Sequence, residues 1–145
     1  MISWLAKKLL TYNMNRLNAG DIEPTLRLDA EDVQFIFPGD NSWSGHFNGK
    51  RELRPWLERF TRVGLHSVID EVAVTGFPWR QTVCLRGHDH LRASDGELVY
   101  ENRYVIWGHV RWGRLREYEL YEDTQKSRAL DAYLEQHEAP VPAVR

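Results

Sequence analysis

Apolar residues recur at helical spacing near the start of the chain and alternate along most of its second half. Ile2, Leu5, Leu9, Leu10, Met14 and Leu17 follow a period near that of an α-helix, which predicts a helix over residues 2–18. Gly20 stands where a helix C-terminus favours a residue free to adopt positive φ. Asp21 is placed to cap a second short helix, with Pro24 in its first turn, where a missing N–H is tolerated. Leu26 and Leu28 belong to that helix, which is expected to end near Ala30. Val33, Phe35 and Phe37 alternate along a strand predicted over residues 31–37, stopped by Pro38-Gly39-Asp40-Asn41. Gly45 and Gly49 bracket a turn. Leu53, Trp56, Leu57 and Phe60 then predict a third helix over residues 50–62.

After Gly64 the period changes to two. Residues 68–74, 81–89, 98–110 and 114–121 read as β-strands separated by Gly76-Phe77-Pro78, Ser94-Asp95-Gly96 and Trp112-Gly113, so consecutive antiparallel hairpins are expected. Asp123 or Thr124 can cap a last helix running to about Gln136, and Ala139-Pro140-Val141-Pro142 reads as a frayed tail. This order predicts one α+β domain over residues 1–137 and a tail over 138–145. The expected architecture is a curved antiparallel sheet wrapped around helices into a cone with a central pocket.

Composition sharpens that picture in one respect. Six Trp, six Tyr and five Phe in 145 residues favour a ring-lined core, pocket or subunit interface. A net charge of −2 gives no basic footprint for nucleic acid. The local cluster Arg103–Arg116 is broken by Trp107, Val110, Trp112 and Leu115, as a hairpin would be. Cys84 stands alone, which rules out an internal disulfide and fits a small buried hydrophobe. Lys7 and Lys8 interrupt the apolar character of Met1–Leu10, so no signal-peptide run is read there, and no stretch reaches membrane-spanning length. A cytoplasmic location is the expectation.

Several motifs together carry a family resemblance: Leu17-Asn18-Ala19-Gly20-Asp21, Ala30-Glu31-Asp32-Val33, Phe37-Pro38-Gly39 and Gly45…Gly49-Lys50. The later runs Pro78-Trp79, Tyr100-Glu101-Asn102, Arg111-Trp112-Gly113-Arg114 and Tyr121-Glu122-Asp123-Thr124-Gln125 extend it. Over roughly residues 5–130 the chain resembles the SnoaL-like group of the nuclear transport factor 2 and ketosteroid isomerase superfamily, whose cystatin-like fold is the cone described above. That group holds isomerases, polyketide cyclases, hydrolases, dehydratases and non-catalytic binders, so the resemblance implies a fold and names no reaction.

The resemblance also argues against one reaction. Ketosteroid isomerases place a carboxylate base on the first strand just before the proline, and Phe37 stands at that position here. The position of their first-helix tyrosine falls at Asn13, and that of their second acid near Asn102 or Ile106. Isomerase chemistry is therefore not expected. Polyketide cyclases of similar fold use an acid on the last long strand, where Tyr118 stands between Glu117 and Glu119. Family parity puts Tyr118, Leu120 and Glu122 inside; a one-residue shift would put Glu117, Glu119 and Tyr121 there instead. By the same parity Asn102, Tyr104, Ile106 and Gly108 face inward, while Arg103, Val105, Trp107 and His109 face outward as a dimer interface.

Other candidate chemistry is sparse. His88-Asp89-His90 has metal-like spacing, because residues two apart on a strand share a face, but it reads as a solvated strand end and no metal is assigned. His46 and His66 are isolated, and Asp40 and Trp43 are candidates for a pocket rim. Phosphate-binding loops, dinucleotide fingerprints and nucleophile elbows are missing, and no cofactor is expected.

Three readings follow. The preferred one is a protein binding a small lipophilic or aromatic molecule among Phe35, Phe37, Trp56, Trp79, Tyr104 and Tyr118, with Ile106 and Leu120 on the same inner face and Asn13 and Asn102 fixing orientation. The second is a cyclase-, dehydratase- or hydrolase-type enzyme using Tyr118 with Glu122 or Asp89. The third is a dimeric interaction module whose cavity is filled by its own side chains.

Overall fold

The computed structural model describes residues 2–139. The first helix, α1 (Ile2–Asn18), turns its core-facing stripe inward through Ala6, Leu10, Asn13, Met14 and Leu17, a set spaced by three and four residues. Ile2, Leu5 and Leu9, which share the helical period, instead stay exposed. A six-residue helix, α2 (Glu23–Leu28), follows; the Asp21 carboxylate accepts from Glu23 N at its start, 3.1 Å away.

No loop separates α2 from the first strand. Strand β1 (Asp29–Phe37) begins directly at the α2 C-cap, two residues earlier than the alternation of Val33, Phe35 and Phe37 indicates. The segment between Gly45 and Gly49 is a short strand, β2 (Gly45–Asn48), rather than a turn. Helix α3 (Gly49–Val63) ends at Gly64, whose positive φ of 84° lets Leu65 N reach Phe60 O and close the last turn.

Four long strands then form the meander: β3 (His66–Phe77), β4 (Arg80–Arg92), β5 (Leu98–Arg111) and β6 (Arg114–Glu122). Each outruns its predicted span by one to three residues at one or both ends, because backbone pairing continues past the recognisable apolar alternation. The last helix is α4 (Thr124–His137), capped by Asp123, whose carboxylate accepts from Gln125 N and Lys126 N. Glu138, assigned to the tail by sequence, is gripped by Arg59 and Arg62 of α3; residues 140–145 of that tail lie outside the described residues.

The sheet order is β2-β1-β6-β5-β4-β3. Every neighbouring pair is antiparallel except β1 and β6, which run parallel because the chain crosses the whole sheet between them. Register shifts interrupt four of the five pairings, one of them at Asp70 between Ile69 and Glu71, and such bulges increase local twist. The sheet therefore curls around the apolar side of the helices without closing.

Helix α1 lies along the outer edge of β3 and satisfies part of it. Asn18 bonds Ser67 twice, through Nδ2 to the carbonyl at 2.7 Å and Oδ1 from the amide at 2.9 Å, and Ser3 Oγ accepts from Val74 N. Lys7 Nζ reaches Asp70 O at 2.6 Å. Covering an edge strand this way removes a template for strand addition.

Candidate active site

Between the concave sheet and helices α1, α3 and α4 lies a cavity of about 170 Å³. Its aromatic wall is built at the β1–β6 pairing and on α3. Phe35 lies 4.7 Å from Tyr118 and 4.9 Å from Trp56, ring centre to ring centre, and Trp56 meets Trp43 edge-on at 5.5 Å. Trp56 Nε1 donates to Trp43 O at 3.1 Å, and the Arg59 guanidinium covers the other side of Trp43 at 4.0 Å. Trp43 is thus a buried wall residue rather than a rim, whereas Asp40 is exposed.

Of the residues singled out by sequence, Asn13, Phe35, Phe37, Trp56, Tyr104, Ile106, Tyr118 and Leu120 line this cavity. Two others do not. Trp79 sits at the tip of the β3–β4 hairpin, 50% exposed and stacked on Phe77 at 5.2 Å, because the strands continue past the end of the core. Asn102 is buried but spent on structure: its Nδ2 donates to Tyr100 OH and to Asp123 O, both at 3.0 Å, and its Oδ1 accepts from Arg103 N. The Asn13 amide is likewise engaged, donating to Pro24 O at 3.2 Å. On the last strand Tyr118 and Leu120 are buried while Glu117 and Tyr121 are exposed. Phe37 is buried in the wall, so the pre-proline position indeed offers no base.

Three carboxyl groups face this apolar space. Asp89 and Glu122 were candidates from sequence; Asp29 was not. Asp29 is 1% exposed and both its carboxyl oxygens lack a hydrogen-bond partner. Burial pushes it up to about 7, only partly offset by the charge of Lys50, and its own charge in turn acts on Tyr118. Desolvation also raises the buried Tyr118 hydroxyl well above its ordinary value, which makes it a donor rather than a base.

Asp89 and Glu122 form a second acidic group further along the sheet. Asp89 reaches about 7 chiefly through burial, helped by the neighbouring charge of Glu122 and opposed by the Ser67 hydroxyl. Glu122 is raised to about 7 by burial, opposed by Ser127, whose hydroxyl donates to Glu122 Oε1 from the first turn of α4. Ser67 Oγ and Tyr104 OH bond each other at 2.8 Å beside Asp89. The Asp29 backbone pairs with Leu115 near the start of β6, whereas Glu122 ends that strand. The two acidic groups therefore sit at opposite ends of an apolar space.

The His88-Asp89-His90 triplet is not a solvated strand end. Strand β4 continues to Arg92, so Asp89 is buried while both imidazoles face outward. His88 Nδ1 contacts Asp70 at 2.9 Å, and the His90 ring packs at a tilt against His66, 4.9 Å between centres. Among the described residues no group of His, Cys, Asp or Glu is arranged to hold a metal ion.

No family model and no curated protein matches the chain by sequence. Solved structures do match by shape. An NTF2-like protein of unknown function from Burkholderia pseudomallei superposes with a TM-score of 0.70 at 18% identity, over 86% of this chain and 95% of that one. A protein of unknown function with cystatin-like fold from Xanthomonas campestris gives 0.66 at 19% identity, over 86% and 95%. This chain has the NTF2-like fold. Two further solved structures also match. TerC, co-crystallised with polyporic acid, gives a TM-score of 0.66 at 20% identity over 88% of this chain and 94% of that one. A loop-truncation variant of IdmH gives 0.63 at 21% identity over 86% and 97%.

In this NTF2-like domain, sequence reasoning missed Asp29, Ser67, Tyr100 and Ser127 as cavity residues. Asp29 gave no signal: the parity of Val33, Phe35 and Phe37 breaks at the exposed Glu31, where the register of β1 against β6 shifts. Tyr100 shares the parity of Asn102 and Tyr104 on the predicted strand and was equally within reach, whereas Ser67 and Ser127 gave no signal, since they face inward only through strand extension and the α4 start.

Proposed function

We propose that this protein binds a small, largely apolar molecule in the cavity and acts on it by general acid–base catalysis, with Asp29 as the proton-transfer group. The observation that carries this reading is the Asp29 carboxyl itself: it lies in a cavity wall, shielded from solvent, with neither oxygen committed to the fold. A carboxyl titrating near 7 is matched to taking and giving protons at neutral pH. Tyr118 beside it supplies a hydroxyl that stays protonated, fit to bond a ligand oxygen. An engineered apolar cavity of about 150 Å³ holds benzene, so this space suits one ring with a short substituent. The co-crystal of TerC with polyporic acid supports a small-molecule role for this fold. SnoaL-like polyketide-cyclase relatives are in keeping with this chemistry, carried here by a different acid.

The convex face of the sheet supports a second part of the proposal, a homodimer. Val105, Trp107 and Tyr121 are exposed there beside Arg103 and His109.

Native mass spectrometry of freshly purified protein, compared with the same sample denatured, tests the binding step. Retained small-molecule mass that disappears in a cavity-filling Leu120→Trp variant supports the reading. Equal masses, together with no uptake of single-ring probes, contradict it.

A further inference from the structure

At the other end of the cavity, Asp89 and Glu122 face the same space from adjacent regions of the sheet, with Tyr100 and Tyr104 in the wall beside them. Several donors there are engaged: Ser127 on Glu122, one of the Ser67 and Tyr104 hydroxyls on the other, and the Asn102 amide on Tyr100. Asp89 Oδ1 remains buried without a partner, as do both oxygens of Asp29 at the far end. Against these three unpartnered acceptors stand the buried Trp43 Nε1 donor and the Tyr118 hydroxyl, which lies within reach of the Asp29 charge at the far end. No Lys, Arg or His side chain is among the described lining residues.

A cavity with surplus acceptors and no cation of its own is completed by a ligand that brings N–H donors and positive charge. From this we infer that the ligand is a small amine, its ammonium group seated between the Asp89 and Glu122 carboxylates and its apolar ring directed along the aromatic wall. One cation between two carboxylates removes their mutual repulsion and satisfies Asp89 Oδ1. The flanking tyrosine rings suit it as well, since their faces attract cations. A carboxylate-bearing ligand would meet only like charge. Among the described residues no third His, Cys, Asp or Glu joins the two carboxylates to complete a metal's shell. The inference rests on the cavity reading above and adds to it the charge class of the ligand.

Both carboxyls are partly protonated near neutral pH in the free protein, chiefly through burial, with the charge of Glu122 adding to Asp89 and that of Asp123 to Glu122. Seating an ammonium favours their charged form, so binding releases protons. The other titratable groups acting on the pair are Tyr100 and Tyr104 from β5, the outward-facing His88 on β4 and Asp123 at the α4 cap.

The test uses the full chain with benzylamine, benzyl alcohol and toluene, titrated calorimetrically at pH 7 in two buffers of different ionisation enthalpy. The expected result is benzylamine binding at least about tenfold tighter than benzyl alcohol, with release of up to about one proton. Asp89→Asn and Glu122→Gln are each expected to weaken the amine by about tenfold or more while leaving the alcohol within about twofold. Should either variant misfold, the wild-type amine-to-alcohol ratio and proton release still decide the matter. Alcohol or toluene binding as tightly as the amine overturns the inference and leaves the cavity reading standing. Binding of none of the three overturns both.

Discussion

The ring of Tyr104 lies directly on the backbone of Gly87, its partner across the β4–β5 pairing. A Cβ added to Gly87 would lie 2.5 Å from the Tyr104 hydroxyl oxygen and 2.3 Å from Val68 O. The glycine is required for close approach, since it lets the hydroxyl cross the strand to reach Ser67 and flank Asp89. Gly87→Ala is therefore expected to expel the ring, break the Ser67–Tyr104 bond and cost about 1–3 kcal/mol, as overpacking typically does. Denaturant unfolding of this variant beside Tyr104→Phe checks it: the phenylalanine variant, which keeps the ring, should lose clearly less.

Stability should fall as pH rises from 5 to 8. Asp29, Asp89 and Glu122 have folded values near 7, raised from ordinary values of 3.8, 3.8 and 4.5. A folded value above the unfolded one means that the native state binds protons more tightly. Its contribution is full below about pH 4 and is lost as pH climbs through 7. Glu138, held below its ordinary value by Arg59 and Arg62, acts oppositely but only in the acid range below about pH 4. The expected outcome is a Tm clearly lower at pH 8 than at pH 5, read from thermal unfolding at the two pH values.

Asp29→Asn separates one carboxyl from the rest. Removing a buried charge that the fold does not pair should raise stability at pH 8 by about 1–3 kcal/mol and leave it nearly unchanged at pH 5. A loss at pH 8 would mean that Asp29 is paired in the folded protein. The same variant should abolish turnover of any substrate later identified, by about a hundredfold or more, because general acid–base groups contribute at that level.

Arg59 ties three elements together. It grips Glu138 beyond α4 through two bonds of 2.8 Å, donates to Ser42 in the β1–β2 connection and covers Trp43. Arg59→Ala is expected to cost about 1–3 kcal/mol and shift the emission of the buried tryptophans towards the red, as the wall around Trp43 loosens. Arg59→Lys should recover only part of this, since a lysine cannot bond Glu138 through two nitrogens.

The proposed dimer predicts that Trp107→Lys lowers the mass seen in sedimentation equilibrium from two chains to one. Trp107 is 50% exposed on the convex face, so the helical and β-sheet circular dichroism should not change. A wild-type protein already sedimenting as one chain contradicts the pairing.

The chain's periodicities made the elements legible because nearly every one has a buried stripe of its own: Leu53, Leu57 and Phe60 on α3, or Tyr118 and Leu120 on β6. Where pairing rather than burial defines a strand, they fell short. β2 buries almost nothing, and the ends of β3 and β4 carry Trp79 away from the core. The candidate site divides along the same line. Aromatic wall positions follow from strand parity, which is why Phe35, Tyr104 and Tyr118 were found. Asp29 was hidden by the join between α2 and β1, where helix passes to strand with no turn residue to mark the change. Asn102 shows the converse failure. Parity correctly turns it inward, yet its amide is consumed by Tyr100 and Asp123, and no alternation reveals a hydrogen-bond partner.

The central claim, that carboxyls stand in a water-poor cavity poised to exchange protons, is tested most directly by a carbon-13 NMR titration of the side-chain carboxyls between pH 4 and 9. Three resonances should titrate near 7, one of them vanishing in each of Asp29→Asn, Asp89→Asn and Glu122→Gln. Titration of every carboxyl below about 5 would contradict the account, because it would show these groups in water or paired, and not in an apolar cavity.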